Sequence, residues 1–402
     1  MQKHNRIVML IAGVIMLFFL GIIYAWSIFK VPIQATFPDF TAAQLSMNFT
    51  LTMIGFCIGG FLGGKIAAGK SPAVAVRISG ILLFAGFFIT SLIEGLPSQT
   101  ALLVMYISYG LLSGIGTGIG YNACLGNIAP FFPECIALIS GILLMGFGLG
   151  SLFIGIVVNK LVVSTSIFSI IRILGIIVLA VTMAGSFFIK RPDVPKRSAQ
   201  NEPAANDGGA TPAQMIRTPF FWLFFIWSIM MSSSGMLVIN SAANIVVYYG
   251  AAAGIGMGVS LFNGCGRPVI GALMDRLGQT KGMLCVNLIL LCAGLLLLFG
   301  GKGGLIPVIC AGMFMVGVCY GGGMTITTKV ISSRFGQAHY AENLGVANFC
   351  IIPASLIGPF LSGILLDRSG GDFFSTFVLL TSMSLINLLI LFLLNTISKK
   401  RG

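Results

Sequence analysis

The chain has 402 residues, 57% of them hydrophobic and 8% charged, with a mean hydropathy of +1.02. A soluble domain carries about 25% charged residues, so this composition excludes a water-soluble globule and indicates an integral membrane protein. The formal net charge of +13 is distributed among loops and span ends rather than gathered on one soluble face, which argues against a nucleic-acid partner.

The apolar stretches have helical rather than strand length. They predict twelve spans, at about 7–29, 46–67, 74–94, 101–125, 137–159, 166–189, 219–247, 254–275, 281–300, 305–331, 343–366 and 373–397. The first is a retained span, not a cleavable leader: its apolar run is long and no cleavage pattern follows it. Span 4 contains Gly114, Gly116, Gly118 and Gly120. These lack the spacing and the preceding strand of a dinucleotide loop, and they predict a smooth surface for close helix approach. After span 6 comes Lys190–Arg217, polar and rich in Pro, Ala and Gly, which reads as a flexible linker. It divides the chain into 1–189, a linker at 190–217, and 218–402. With both termini cytoplasmic, seventeen of the 23 Lys and Arg fall on the inner side, five fall on the outer side, and Arg267 lies within a span. That asymmetry follows the positive-inside rule and predicts a multi-pass cell-membrane protein.

The halves repeat each other. Gly150-Ser-Leu-Phe-Ile-Gly155 lies 208 residues before Gly358-Pro-Phe-Leu-Ser-Gly363, and Gly64-Lys-Ile-Ala-Ala68 lies 207 before Gly271-Ala-Leu-Met-Asp275. The expected fold is therefore all-α, with twelve transmembrane helices in two pseudo-symmetric six-helix bundles. Duplicated halves around a central site are a transporter architecture.

Span 8 carries the strongest chemical signal. Arg267 stands ~20 Å from the outer end of that span and ~12 Å from its inner end at helical rise. A cation at such depth is costly unless it faces water, a partner or a ligand. No Asp or Glu lies in the interior of any span, which favours an anionic ligand; an Arg held by backbone carbonyls in a packed bundle is the structural alternative. A guanidinium matches a carboxylate with two parallel hydrogen bonds. Asn240 and Asn263 are further polar groups in apolar spans, and Asn263, one turn before Arg267, is placed to orient it. Lys329 lies near the cytoplasmic end of span 10, and becomes a second cation for the site only if that span is shifted. Nine cysteines show no CxxC pair and the histidines are His4 and His339 alone. Neither a metal site nor a disulfide framework is expected, and no cofactor.

Gly271-x-Leu273-x-Asp275-Arg276-x-Gly278-x-x-Lys281 resembles the loop signature of the major facilitator superfamily, which occurs there between helices 2 and 3 and again between 8 and 9. The first copy here has Ala68 in place of the Asp. The resemblance implies the major facilitator fold, and a gating role for Asp275, Arg276, Gly271, Gly278 and Lys281. Within the superfamily the chain looks like the oxalate/formate antiporter family. The matching segments are Gly21–Phe29 with Tyr24 and Trp26, Gly114–Asn122 with Tyr121, Thr218–Leu223, and Asn263–Pro268. The resemblance implies that Tyr24 and Tyr121 join Arg267 at the site, by family match on helices 1 and 4; each reads equally as a packing residue. Trp26 would close the outer side of the cavity or serve as an interfacial aromatic. Two departures stand out: the segment after Phe132-Pro133 carries no basic residue, and no Lys or Arg lies between Glu342 and Arg368, where the oxalate-exchanging type has a lysine.

The expected function is alternating-access transport of a small organic anion. A single cation suits a monocarboxylate such as formate, lactate or pyruvate better than oxalate. Transport would run as anion exchange or proton-linked symport, so the expected partners are the carboxylate, a proton or counter-anion, and the lipid bilayer, with a monomer as the working form. The rivals are a facilitator of another solute class and a membrane sensor of a carboxylate. An enzyme is disfavoured, for no nucleophile–base pair or phosphate loop is found.

Overall fold

The computed structural model describes residues 3–191, 209–252, 255–256, 258–369 and 371–399. Most of the linker expected at 190–217 lies outside these residues. Among the described residues all regular structure is helical. α1 (Lys3–Leu20) passes through a 3₁₀ turn at Gly21–Ala25 into α2 (Trp26–Thr36), and together they form the first span. α3 (Ala42–Gly69) and α4 (Pro72–Thr90) are the second and third. The fourth runs from α5 (Ser98–Met105) through π-helical Tyr106–Ser113 into α6 (Gly114–Ile128). α7 (Ile136–Leu161) and α8 (Ile167–Ser186) follow, then the short α9 (Pro212–Ile216) and α10 (Pro219–Tyr248). α11 (Gly258–Gly303), α12 (Ile306–Phe335), α13 (Tyr340–Ala347), α14 (Ile351–Arg368) and α15 (Phe374–Lys399) complete the chain.

Eleven of the described helical segments are long and apolar enough to cross a membrane. The twelfth expected crossing is contained in α11, whose 46 residues would stretch to ~70 Å, about twice a hydrocarbon core. The break is at Gly278, with φ 76° and ψ 171°. That backbone region is essentially closed to residues with a Cβ, so glycine is needed there for conformation; no atom lies within 4 Å of the Cβ it lacks.

Helix starts are set by side chains that satisfy the orphan N–H groups. Thr41 and Gln44 make a reciprocal capping box on α3. Ser71 caps α4 and Thr218 caps α10, each followed by a proline at the first helical position, where a missing N–H costs nothing. Large apolar side chains such as Phe299, Leu389 and Phe392 stay exposed, as suits a surface that meets lipid rather than water.

The described chain forms two compact units that do not follow linear order. One comprises 1–133, 146–212 and 331–349; the other comprises 134–145, 213–330 and 350–402. The first segment of α7 thus belongs with α10–α12, and α13 belongs with α1–α6. In the first unit the glycine run works as two faces. A Cβ on Gly114 would lie 2.5 Å from Thr52 O and one on Gly118 2.0 Å from Phe56 O, both on α3. A Cβ on Gly116 would lie 2.9 Å from Leu83 N, and one on Gly120 2.3 Å from the Ser79 hydroxyl, both on α4. In the second unit buried polar groups tie helices together: Trp227 Nε1 donates to Asn287 Oδ1 at 3.4 Å, and Asn287 Nδ2 to Met283 O at 2.8 Å.

Gly118→Ala should lower the melting temperature of the detergent-solubilised protein steeply, because the added methyl meets backbone that cannot turn away; overpacking costs about 1–3 kcal/mol or more. Gly69→Ala, with open space around it, should leave the melting temperature unchanged in the same fluorescence-detected assay.

Candidate anion-binding site and inner clasp

Arg267 is 4% exposed and lies on the part of α11 before the Gly278 break. Its Nη1 donates to Leu144 O of α7 at 2.5 Å, and its own carbonyl accepts from Thr325 Oγ1 of α12 at 3.3 Å. The bundle therefore does supply a backbone carbonyl to the guanidinium, as the structural alternative expects. That carbonyl satisfies a donor and carries no charge. The fit is close: a Cβ on Gly141 would lie 2.5 Å from Arg267 O, and one on Gly266 2.6 Å from Val318 Cα. Asn263 lies one turn earlier, with its Oδ1 buried and without a hydrogen bond. Gly321 faces it, since a Cβ there would stand 2.0 Å from Asn263 O.

Two turns further on, Asp275 takes two donors. Its Oδ2 accepts from Leu138 N at 2.8 Å and its Oδ1 pairs with Lys329 Nζ at 2.8 Å. Leu138 is the third residue of α7, so its N–H is one of the donors that a helix start leaves unsatisfied, and a carboxylate there also meets the positive end of the helix dipole. Gly271 makes this reachable: a Cβ on it would lie 2.5 Å from Ala137 O. Lys329 is thus the ion-pair partner of Asp275. Arg276 and Lys281 are exposed, and Gly278 makes the turn.

In the first unit Phe147 brings the two tyrosines together. Its ring meets Tyr24 at 5.4 Å and Tyr121 at 5.1 Å, both edge to face, while Phe56 lies 5.0 Å from Tyr121 and 6.1 Å from Phe147. Edge-to-face pairs at these spacings are attractive. The 3₁₀ turn at Gly21–Ala25 sets Tyr24 in place, and Gly21 lets the chain approach Phe147, whose carbonyl oxygen would lie 2.0 Å from a Cβ there. Trp26 is 3% exposed; its Nε1 donates to Leu45 O at 2.9 Å and its ring rests 4.7 Å from Tyr109. The structure places it in a buried contact among α2, α3 and the π-helical turn. The Asn240 side chain lies outside the described residues. In the second unit Tyr320 of α12 is 7% exposed and fills the space that Gly235 of α10 leaves open. Phe147 and Tyr320 carry no distinguishing mark in the sequence. The Asp275–Lys329 pair has one signal, two opposite charges near the ends of expected spans 8 and 10.

The fold is matched by solved structures of the same architecture. The proton:xylose symporter XylE aligns over 98% of this chain and 96% of its own, with a TM-score of 0.75 and 14% identity. The family model described as the Major Facilitator Superfamily matches residues 230–402. The match covers the C-terminal part of the chain. The oxalate:formate antiporter of Oxalobacter formigenes is 26% identical over 374 residues, 90% of this chain and 85% of the antiporter. Monocarboxylate transporter 12-B of Danio rerio is 24% identical over 404 aligned residues, 90% of this chain and 81% of that protein. The chain has the fold of the solved major facilitator structures, with eleven described helices long and apolar enough to cross a membrane.

A double-mutant cycle separates the ion pair from the helix-start contact. Lys329→Met strands a mostly buried carboxylate and should cost about 2–4 kcal/mol, less than the 3–5 of a fully buried pair because both groups touch solvent. Asp275→Asn keeps an acceptor for Leu138 N–H and should cost less. Asp275→Asn combined with Lys329→Met should recover part of the loss, read as a positive coupling energy in thermal unfolding.

Proposed function

We propose that the protein is a secondary active transporter of small monocarboxylates, of the size of formate, lactate or pyruvate, and that Arg267 is the group that binds the carboxylate. The observation that carries this reading is a guanidinium 4% exposed, mid-way along an apolar span, that donates to the Leu144 carbonyl. Every Asp and Glu of the chain lies outside the span interiors. A carboxylate matches a guanidinium at such depth in charge and in its two parallel acceptors. Similarity to an oxalate:formate antiporter and to a monocarboxylate transporter supports the same ligand class. One guanidinium and no second cation in span 11 favour one carboxylate over two.

In this reading Tyr24 and Tyr121, whose rings pack on Phe147, are the candidate binding residues of the first unit. Asn263, one turn before Arg267 on α11, and Asn240 are further candidate contacts for the ligand. The halves 1–189 and 218–402, joined by 190–217 with both termini cytoplasmic, rock about that site. Asp275 controls the inner end together with Arg276, Gly271, Gly278 and Lys281. The cycle runs as anion exchange or with a co-transported proton, in a monomer within the bilayer.

Counterflow into liposomes with labelled formate, lactate, pyruvate and oxalate tests the class, and repeating it with a pH gradient separates exchange from symport. Arg267→Lys keeps the charge without the planar fork and should retain partial uptake. Arg267→Gln should lose about 2–5 kcal/mol of binding, at least tenfold in affinity, measured on protein that elutes as a single folded species. Wild-type uptake by Arg267→Gln would place the site elsewhere.

A further inference from the structure

Arg267 and Asp275 of α11 grip the same short piece of α7, the segment 134–145, which belongs to the second compact unit. Asp275 holds its start through Leu138 N, and Arg267 holds its far end through Leu144 O. Between these two points the backbones run in contact, at Gly271 against Ala137 and at Gly141 against Arg267. The seam is closed by glycines and pinned at two places by side chains of opposite charge. At the Asp275 pin a carboxylate meets a peptide N–H and a lysine. At the Arg267 pin a guanidinium meets a neutral carbonyl, the weaker kind of acceptor. A carboxylate makes charge-assisted bonds to guanidinium roughly twice as strong as neutral ones, and it would compete with Leu144 O for the same Nη1.

We propose that Arg267 is a latch as well as an anchor: a bound carboxylate draws its guanidinium from the Leu144 carbonyl and so unpins one end of the α7–α11 seam. The proposal rests on the carboxylate reading above and adds to it a coupling between ligand occupancy and the mobility of one named helix segment. The Asp275 pin is left in place, so binding loosens the seam without opening it. Lys329 keeps the Asp275 carboxylate in position throughout.

The molecule contains its own control. In the first unit α13 lies on α3 through the same pattern of contacts: a Cβ on Gly64 would stand 2.7 Å from Ala341 O, and one on Gly345 2.9 Å from Gly60 O. Gly64 and Gly60 precede Gly271 and Arg267 by 207 residues, and Ala341 and Gly345 follow Ala137 and Gly141 by 204. The counterpart of Arg267 is therefore Gly60. Its carbonyl accepts from Asn122 Nδ2 at 2.5 Å, and the same amide donates to Ala341 O at 2.7 Å. Asn122 precedes Lys329 by 207 residues. A neutral amide pins this seam where an ion pair and a guanidinium pin the other. It offers an anion no cation to compete for.

Hydrogen–deuterium exchange of the full-length protein in lipid nanodiscs tests the latch, with formate, lactate, oxalate or chloride added and binding followed in parallel. The Leu138 N–H is a direct reporter, because it donates to Asp275 rather than to its own helix. Saturating formate or lactate should speed exchange across 136–147 by about tenfold, equivalent to ~1.4 kcal/mol, and leave 340–347 unchanged. Chloride should do neither. Arg267→Gln should show the fast exchange at 136–147 with no anion present and no further response, with 340–347 at wild-type protection as proof of folding. Arg267→Lys, with one donor group, should fall between. Wild-type protection at 136–147 in folded Arg267→Gln overturns the latch. So does a carboxylate that binds but leaves 136–147 unchanged or slows it, and that result leaves the transport reading standing. Fast exchange in Arg267→Gln with no carboxylate binding to the wild type overturns the proposal through its ligand rather than its geometry, and takes the carboxylate reading with it.

Discussion

Helices in hydrocarbon gain little by covering apolar side chains, because lipid is as apolar as leucine. Their contacts must come from close backbone approach and from a few well-placed polar bonds. Both units of this protein are built on that constraint. The glycines at 114, 116, 118 and 120 let one helix touch two neighbours at once, and each would place a Cβ within 3 Å of a neighbouring atom. Large apolar side chains such as Phe299, Leu389 and Phe392 can be turned outward, where lipid accepts them. The same constraint makes each polar bond consequential, since an unmet donor or acceptor in that medium costs several kcal/mol.

The α7–α11 seam shows how this constraint yields chemistry. Backbones pressed together at Gly141 and Gly271 leave no width for side chains between the helices. The groups that reach across are therefore those at the two ends of the contact. One is Arg267, set by the seam against a peptide carbonyl, and the other is Asp275, set against a helix start. A cation and an anion are thus held two turns apart on one helix, each bonded to backbone of the same neighbour. Moving α7 disturbs both, and disturbing either changes the hold on α7. Arg267 and Asp275 are for that reason tied to each other through one helix segment, without any long relay of side chains.

The internal repeat sharpens the point. The two seams share their glycine spacing, yet one is charged and the other neutral. Asn122 satisfies two carbonyls with a single amide, which closes the first seam without a buried charge. The second keeps Asp275, Lys329 and Arg267. Duplication supplied one geometry twice, and substitution at positions 60, 68 and 122 against 267, 275 and 329 made the two copies answer to different chemistry.

Much of this was legible in the sequence, because its causes are properties of individual side chains. Span lengths follow from runs of apolar residues, and the position of Arg267 along its span from counting helical rise. The loop signature marked Gly271, Asp275 and Gly278, the last of which adopts a backbone conformation that glycine alone takes readily. What the tertiary structure decided was the other half of each contact. Leu144 O and Leu138 N are backbone atoms, identical at every residue, so no side-chain pattern could mark them as the partners of Arg267 and Asp275. Phe147, the ring that joins Tyr24 and Tyr121, is one of 32 phenylalanines and is distinguished only by where α7 passes the Gly21–Ala25 turn and α6. Trp26 offered its N–H to any acceptor within reach, and only packing assigned it to Leu45. Single residues set what each span can hold, but which backbone atom it holds depends on which helices lie side by side, and that is a property of the assembled bundle.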